Sequence, residues 1–474
     1  MKPKQPITTN KSRRKFIQQA ATALAGFYIV PRHVLGKGFI APSDRLNIAG
    51  IGVGGKGQSD IAEFAKSPKA NIAFLCDVDD RQAAKSYAAF PNAKRYKDFR
   101  EMLDKEHKNI DAVSVSTPDH THASAAIAAM QLGKHVYVQK PLTHDIYEAR
   151  MLTEAARRYK VVTQMGNQGS SGDGVRVMKE WYAAGLIGEA HTIRCWTNRP
   201  VWPQGGGAPT QKEEIPKELD WDLWLGPTQF HDYHNAFVPF NWRGYWDFGT
   251  GALGDMGCHI IDPAFNVCEL GYPSEVECSV ADIYEVMWKP AFHPESCPVA
   301  SSVSIKFPGK KGKNDVKLTW MDGNIRPERP AELGPDEPMG NGDGGGIIEG
   351  TKGKIMYGTY GSNPTLLPTS KMKDLNVAKT LARVPEGHYQ QWVNACIAGY
   401  GKSKLSSPFD YAGPLTETVL FANLALRSWN LKDANGKFSG RKKLLWDAQA
   451  MRITNYDDAN QFVKREYRAG WPKL

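Results

Sequence analysis

Cysteine is scarce and unpatterned in this chain. Seven occur in 474 residues, at positions 76, 195, 258, 268, 278, 297 and 396, with no C-x-x-C spacing. An odd, scattered set argues against a disulfide framework and against the usual Cys/His zinc arrangements. H-E-x-x-H is missing as well. The close histidines at 120 and 122, and at 231 and 234, have no further ligand set beside them, so no metal is expected. No apolar run reaches the ~20 residues that a membrane-spanning helix needs, and no membrane span is expected. Internal repeats and low-complexity tracts are lacking beyond short glycine runs at 205–207 and 344–346. At 41% hydrophobic and 23% charged, the chain reads as a packed soluble protein, long enough for two domains.

A broad charge excess is also missing. The formal net charge is +10, yet residues 1–37 hold eight Lys/Arg and no Asp or Glu. Without them, 52 bases face 50 acids. A basic surface for nucleic acid has little support, and no such partner is expected. The excess belongs to the N-terminus, where Ser12-Arg13-Arg14-Lys15-Phe16-Ile17 precedes a mildly apolar stretch over 18–30. Paired arginines before such a stretch resemble a twin-arginine export signal; the alternative is a basic amphipathic helix. The expectation is that residues 1–40 are signal and linker and that the protein works in the periplasm, or is otherwise exported. That route carries folded proteins, which fits cysteines kept reduced before export.

What is present is concentrated first in residues 46–77. A short apolar run leads into Gly52-Val53-Gly54-Gly55-Lys56-Gly57, a G-x-G-x-x-G. A helical spacing of Ile61, Phe64 and Ala65 follows, then a second apolar run ending at Asp77. Strand, glycine turn, helix, strand and acid, in that order, form a dinucleotide cradle. The alternative is an ordinary tight turn between strand and helix.

Strand and helix signals then alternate. Helices are expected over 81–90, 96–103, 123–132 and 145–159, with strands over 111–116, 135–138 and 161–165. This predicts a doubly wound parallel sheet, a Rossmann domain spanning 44–168. From Gly166 the character changes. Strands are expected over 188–196, 275–286, 300–307, 316–321, 347–357 and 365–367, and helices over 388–397 and 415–428. The prediction is an α/β chain whose second part, 169–474, is an α+β open-faced sheet domain for substrate binding. A sheet face left uncovered would serve as a homo-oligomer surface.

Ligands of doubly wound sheets bind beyond the carboxyl ends of the strands. Two strand ends therefore matter: Thr117-Pro118-Asp119-His120-Thr121-His122 and Gln139-Lys140-Pro141. Lys140 either holds a substrate hydroxyl near a nicotinamide or is a solvated turn lysine. Asp255 and His259 stand at i, i+4. Either the carboxylate orients the imidazole and stabilises its charged form, as a general base requires, or they are a helix-terminal charge and a core histidine. Trp202 lies in an aromatic loop that offers stacking faces for a sugar or a core corner. Asn198, Arg199, Gln204 and Arg243 are hydroxyl-binding candidates in the same region.

Taken together, Gly52–Gly57, Asp77, the 117–122 and 139–141 segments and Asp255-x-x-x-His259 resemble the Gfo/Idh/MocA oxidoreductase family, over roughly 44–430. The resemblance implies a nicotinamide cofactor, with Lys140 and His259 as the catalytic pair and Asp255 beside them. Pro118 and His122 would line the cofactor, with Thr117, His120 and Gln139 alongside. Asp77 would take the adenosine ribose, which favours NAD over NADP because a 2′-phosphate would meet a carboxylate. The family's usual Glu-Lys-Pro is Gln139-Lys140-Pro141 here. Losing that carboxylate is expected to make Lys140 easier to deprotonate. The expected activity is hydride exchange with a hydroxyl of a carbohydrate, glycoside or cyclitol, by a tightly bound cofactor. The alternatives are a redox-neutral NAD-dependent glycosidase and a noncatalytic sugar-binding protein.

Overall fold

Strands buried on both faces need neighbours on both edges for their backbone groups. The computed structural model describes residues 45–471 apart from Lys311. It pairs five such runs and one largely exposed edge strand, β3, into a sheet: β1 (Leu46–Ile51), β2 (Ala70–Cys76), β3 (Lys94–Tyr96), β4 (Ala112–Val115), β5 (His135–Val138) and β6 (Thr163–Met165). Their order is β3-β2-β1-β4-β5-β6, with every pairing parallel. Helices α1 (Gly55–Ala65), α2 (Asp80–Ala89), α3 (Phe99–Glu106), α4 (Asp119–Gln131) and α5 (Ile146–Tyr159) connect them. This is the expected Rossmann sheet. Its order reverses between β1 and β4, which opens a crevice at their carboxyl ends. The export-signal expectation falls on residues 1–40, outside the described residues.

Two local expectations change. The segment 96–103 is not one helix: Tyr96 ends edge strand β3, and Asp98 caps α3 by accepting from the Arg100 N–H at 2.8 Å. The helix expected from 123 begins at Asp119, because Pro118 pre-sets the entry and Asp119 places an acid in the first turn. His120 and His122 consequently stand on a helix, not in a turn.

The rest of the chain builds a second layer. Helix α6 (Asp173–Ala183) precedes β7 (Ala190–Thr197), short α7 (Trp221–Leu225) and the long α8 (Gly251–Val267). Strands β8 (Glu275–Val280), β9 (Tyr284–Val286), β10 (Lys289–Pro290), β11 (Ser301–Phe307) and β12 (Val316–Met321) follow. The run expected over 275–286 thus divides, with β9 and β10 forming a separate hairpin. The run over 347–357 also divides, into β13 (Gly344–Gly350) and β14 (Gly353–Gly358), with β15 (Ser362–Leu367) beyond. Helices α9 (Gly387–Ala398) and α10 (Phe409–Ser428), then β16 (Leu444–Asp447) and β17 (Arg452–Ile453), complete the elements used here. The sheet has nine strands, in order β15-β14-β13-β7-β12-β11-β8-β16-β17.

Helices α8 and α10 cover one face of this sheet. Ile260, Ile261, Leu415 and Val419 share a core with Ile193, Val303, Ile305 and Trp320. The opposite face departs from expectation. On it Ser302, Ser304, Lys306, Lys317 and Thr319 stand in register, and these are polar. Its apolar part, with Trp196, Ile347 and Met356, is covered by Leu333 and Met339. Among the described residues, this outer face of the sheet is therefore polar or covered, not a bare apolar surface. The chain also turns back on itself. Helix α9 packs on the first layer, where Trp392 meets Phe64 at 4.8 Å and Tyr137 at 5.6 Å between ring centroids.

Candidate active site

The β1–β4 crevice widens into a cavity of about 680 Å³, within the usual size of a ligand site. At one end is the glycine turn. Gly52 has φ +73°, and a Cβ there would come within 2.8 Å of the Ser116 and Thr117 backbone. A Cβ on Gly57 would stand 1.9 Å from the Gly52 carbonyl oxygen, so only glycine lets α1 start this close to β1. The Asp77 carboxylate ties the turn down: one oxygen accepts from the N–H groups of Val53 and Gly54, at 2.8 and 3.0 Å. The other accepts from the Asp79 N–H at 3.0 Å. Burial raises the Asp77 carboxyl pKa, and these three N–H groups oppose the rise.

Beside the turn lies a network that sequence reasoning missed. Asp60, fully buried on α1, accepts from Lys56, from Ser116 Oγ at 2.8 Å, from Gln139 Nε2 at 2.7 Å and from Tyr389 Oη at 3.0 Å. Gln139 thus serves the cradle through its amide. Lys56 also donates to Tyr389 Oη at 2.8 Å, and Gln168 does so at 2.9 Å. The Lys56–Asp60 spacing of four on a helix was a readable signal. Tyr389, more than three hundred residues away, carried none.

At the far end stand Lys140, Asp255 and His259. The Lys140 ammonium donates to the Asp255 carbonyl at 2.6 Å and to its carboxylate Oδ1 at 2.8 Å. Arg199 and Arg243 approach the same carboxylate at 3.6 Å each. Burial alone would raise the Asp255 carboxyl, but Lys140 and Arg243 outweigh it and hold it at about 2. This corrects the expected pairing. Asp255 and His259 are one helical turn apart, but the carboxylate hydrogen-bonds Lys140, not the imidazole. Burial pushes His259 well below its ordinary pKa, Lys140 pushes the same way, and Asp255 opposes them. The imidazole is held neutral, not charged. Among the described residues nothing hydrogen-bonds its buried Nδ1. The carboxylate against Lys140 is thus that of Asp255, while position 139 presents an amide.

Tyr360, which the sequence reading did not single out, meets the His259 ring edge-on at 4.6 Å. Its backbone is left-handed, with φ +66°, in a turn after β14. Tyr360 and His259 both line the cavity, with Lys140 and Asp255.

Several expected site residues are not on the cavity wall. His120 is fully buried, with its ring nitrogens 3.2 Å from the Phe248 carbonyl and 2.8 Å from that of Trp224; burial takes its pKa down to about 3. His122 lies 2.8 Å from the Pro141 carbonyl and 2.9 Å from that of Thr117, linking the two strand-end turns from behind. Both face inward because α4 begins at Asp119. The Val53 side chain is buried, and only its backbone faces the turn. Asn198 Nδ2 donates to the Gly342 carbonyl at 3.0 Å, and Trp202 is buried, donating to Gln204 at 2.9 Å. Gly52, Gly54, Gly55, Lys56 and Asp77 line the cavity. So do Thr117, Pro118, Gln139, Arg199 and Arg243. Among the described residues no three His, Cys, Asp or Glu side chains converge on a metal position, and no helix is long and apolar enough to cross a membrane.

The glycine turn, the helix N-terminus behind it and the Asp77 carboxylate fit a dinucleotide, with backbone close enough to meet a pyrophosphate. Comparison with known proteins agrees. Residues 46–167 match the oxidoreductase family model GFO_IDH_MocA, an NAD-binding Rossmann fold. Residues 184–282 match its C-terminal alpha/beta domain. Levoglucosan dehydrogenase of Pseudarthrobacter phenanthrenivorans is 25% identical over 228 residues, 46% of this chain and 50% of that protein. The alpha-N-acetylgalactosaminidase of Shewanella oneidensis is 27% identical over 205 residues, 38% of this chain and 44% of that one. The chain therefore spans half or less of the length of these curated relatives. A solved levoglucosan dehydrogenase in complex with NADH superposes with a TM-score of 0.54 at 19% identity, covering 81% of this chain and 98% of that one. An aldose-aldose oxidoreductase from Caulobacter crescentus, complexed with glycerol, gives 0.51 at 14% identity, covering 81% and 97%. At these identities the two structures establish the fold alone. With both family domains present in order around one cavity, the chain belongs to the Gfo/Idh/MocA oxidoreductase family and carries an NAD-binding Rossmann domain.

Proposed function

We propose that this protein is an NAD-dependent oxidoreductase of carbohydrate hydroxyls that works outside the cytoplasm with its cofactor carried in place. The carrying observation is the continuity of the cavity from the glycine turn to Lys140, Asp255 and His259. The glycine turn would hold NAD by its pyrophosphate, and the cofactor, when bound, would supply the hydride exchange with a carbinol carbon. The chain's own residues do the rest. His259, neutral, takes the hydroxyl proton at a ring nitrogen. Lys140, fixed by two hydrogen bonds to Asp255, holds the oxygen and aligns the carbon. Asp77 disfavours a 2′-phosphate, so NAD is preferred to NADP. Self-association through the outer sheet face belongs to the same reading, with polar contacts.

A second reading is redox-neutral glycoside cleavage, in which a ring carbinol of the substrate is oxidised, the aglycone is eliminated, water adds, and the hydride is returned, so that the cofactor would be reduced and restored within one turnover. Tyr360 beside His259 favours it, because elimination needs a second proton-handling group next to the first. The same likeness to a named N-acetylgalactosaminidase supports it.

Protein purified without added nucleotide, given a panel of sugars and glycosides, tests both. The expected result is co-purified NAD whose absorbance at the reduced-nicotinamide band changes with substrate. Release of aglycone with the cofactor spectrum restored selects the second reading. Absence of bound dinucleotide together with absence of turnover defeats both.

A further inference from the structure

The substrate end of the cavity has more guanidinium donors than its own acids engage. Lys140, Arg199 and Arg243 converge there on one carboxylate, Asp255. Lys140 has the hydrogen bond. The two arginines stand at 3.6 Å, beyond a good one. Arg199 has a second acid, Asp343, at 3.1 Å. Among the described residues Arg243 has no carboxylate in salt-bridge range except the shared Asp255. Asp119, the next acid on this wall, accepts from Thr250 Oγ1 at 2.6 Å and lies outside that range.

Arg243 is also held still. Its guanidinium lies over the Phe240 ring at 4.1 Å and over Trp242 at 4.2 Å. One Nη donates to the Phe240 carbonyl at 3.1 Å. Among the described residues its remaining N–H groups have no hydrogen-bonded acceptor, and the side chain borders the cavity at 20% exposure. A planar fork, fixed by stacking and with its donors unspent, matches a carboxylate better than it matches a hydroxyl. An oxidised nicotinamide at the same end would add one more positive charge, which an anionic substrate offsets.

We infer that Arg243, with Arg199, receives a carboxylate of the substrate, so that the carbohydrate is a sugar acid: a uronic acid or a uronide. This rests on the reading that the cavity seats a carbohydrate next to NAD.

The test uses the full protein with its bound cofactor and matched probes, methyl glucuronide against methyl glucoside and methyl galacturonide against methyl galactoside. Binding is read by tryptophan fluorescence and turnover by cofactor absorbance. The uronide of at least one pair is expected to half-saturate at about tenfold lower concentration than its neutral partner. Raised salt should weaken the uronide alone. In Arg243→Gln, with retained cofactor as the check on folding, the preference should vanish. Equal binding within both pairs, no uronide binding at all, or a preference that survives Arg243→Gln would overturn the assignment. Selective uronide binding without any change in the cofactor would leave the subsite standing and defeat the proposed chemistry. Equal oxidation of neutral and acidic probes would do the reverse.

Discussion

The Lys140 ammonium donates to both the carbonyl and the carboxylate of Asp255, at 2.6 and 2.8 Å. A strand end of the nucleotide layer and a helix of the second layer therefore meet at one ion pair. Its two partners are not equivalent. Asp255 has two arginines behind Lys140, whereas Lys140 has Asp255 alone among the described residues.

Removing the acid should therefore cost more stability than removing the lysine. Asp255→Asn leaves three cations facing an amide and is expected to cost about 3 kcal/mol. Lys140→Met leaves the carboxylate with Arg199 and Arg243 and should cost about 1 kcal/mol. Both should slow hydride transfer by at least about a hundredfold. Thermal denaturation and single-turnover absorbance check this; a greater loss of stability in Lys140→Met would contradict the assigned charges.

The pH profile follows from His259. A base works when neutral, and burial together with Lys140 favours the neutral ring. The acid limb of kcat/KM should therefore lie below the ~6.5 of an ordinary histidine. Activity should persist as pH falls through that value and decline only further down. His259→Gln should remove the limb together with most of the rate. A limb near neutrality in the unmodified protein would mean that Asp255, and not burial, governs the ring.

Tyr360 separates strain from chemistry. Its left-handed backbone costs of order 1 kcal/mol in any residue but glycine, and the side chain is 45% exposed. Tyr360→Gly should leave stability unchanged or raise it by about 1 kcal/mol. Turnover should fall about tenfold as the ring against His259 is lost. Tyr360→Phe keeps that ring and should retain more activity. Equal turnover in all three, measured at saturating substrate, would make Tyr360 a bystander.

The parallel layer was legible where its strands are short apolar runs followed by a turn residue and a helix, as β1, β2, β4 and β5 are; edge strand β3, Lys94-Arg95-Tyr96, has no such run and was missed. The glycine turn, Lys140 and the Asp255–His259 spacing were legible as positions. What those side chains do was less so. Helical spacing makes Asp255 and His259 neighbours, but it does not choose a rotamer. Cations from positions 140, 199 and 243, far apart in the chain, draw the carboxylate away. His120 and His122 were expected in the turn that ends a strand and stand instead in the first turn of α4. Their inward direction depends on where α4 begins, and element boundaries are where pattern reading is weakest. Tyr389 reaches Asp60 only through tertiary packing.

Helix α9 has a consequence for how the molecule is made. Phe64 and Tyr137 of the nucleotide layer are covered by Trp392, and the Asp60 network is closed by Tyr389. A nascent chain that has emerged only as far as β6 would hold every glycine of its cradle while one flank stayed bare. The flank is closed only once residues 389–392 have joined the fold, so the cradle is completed by a stretch of chain more than three hundred residues beyond its glycines.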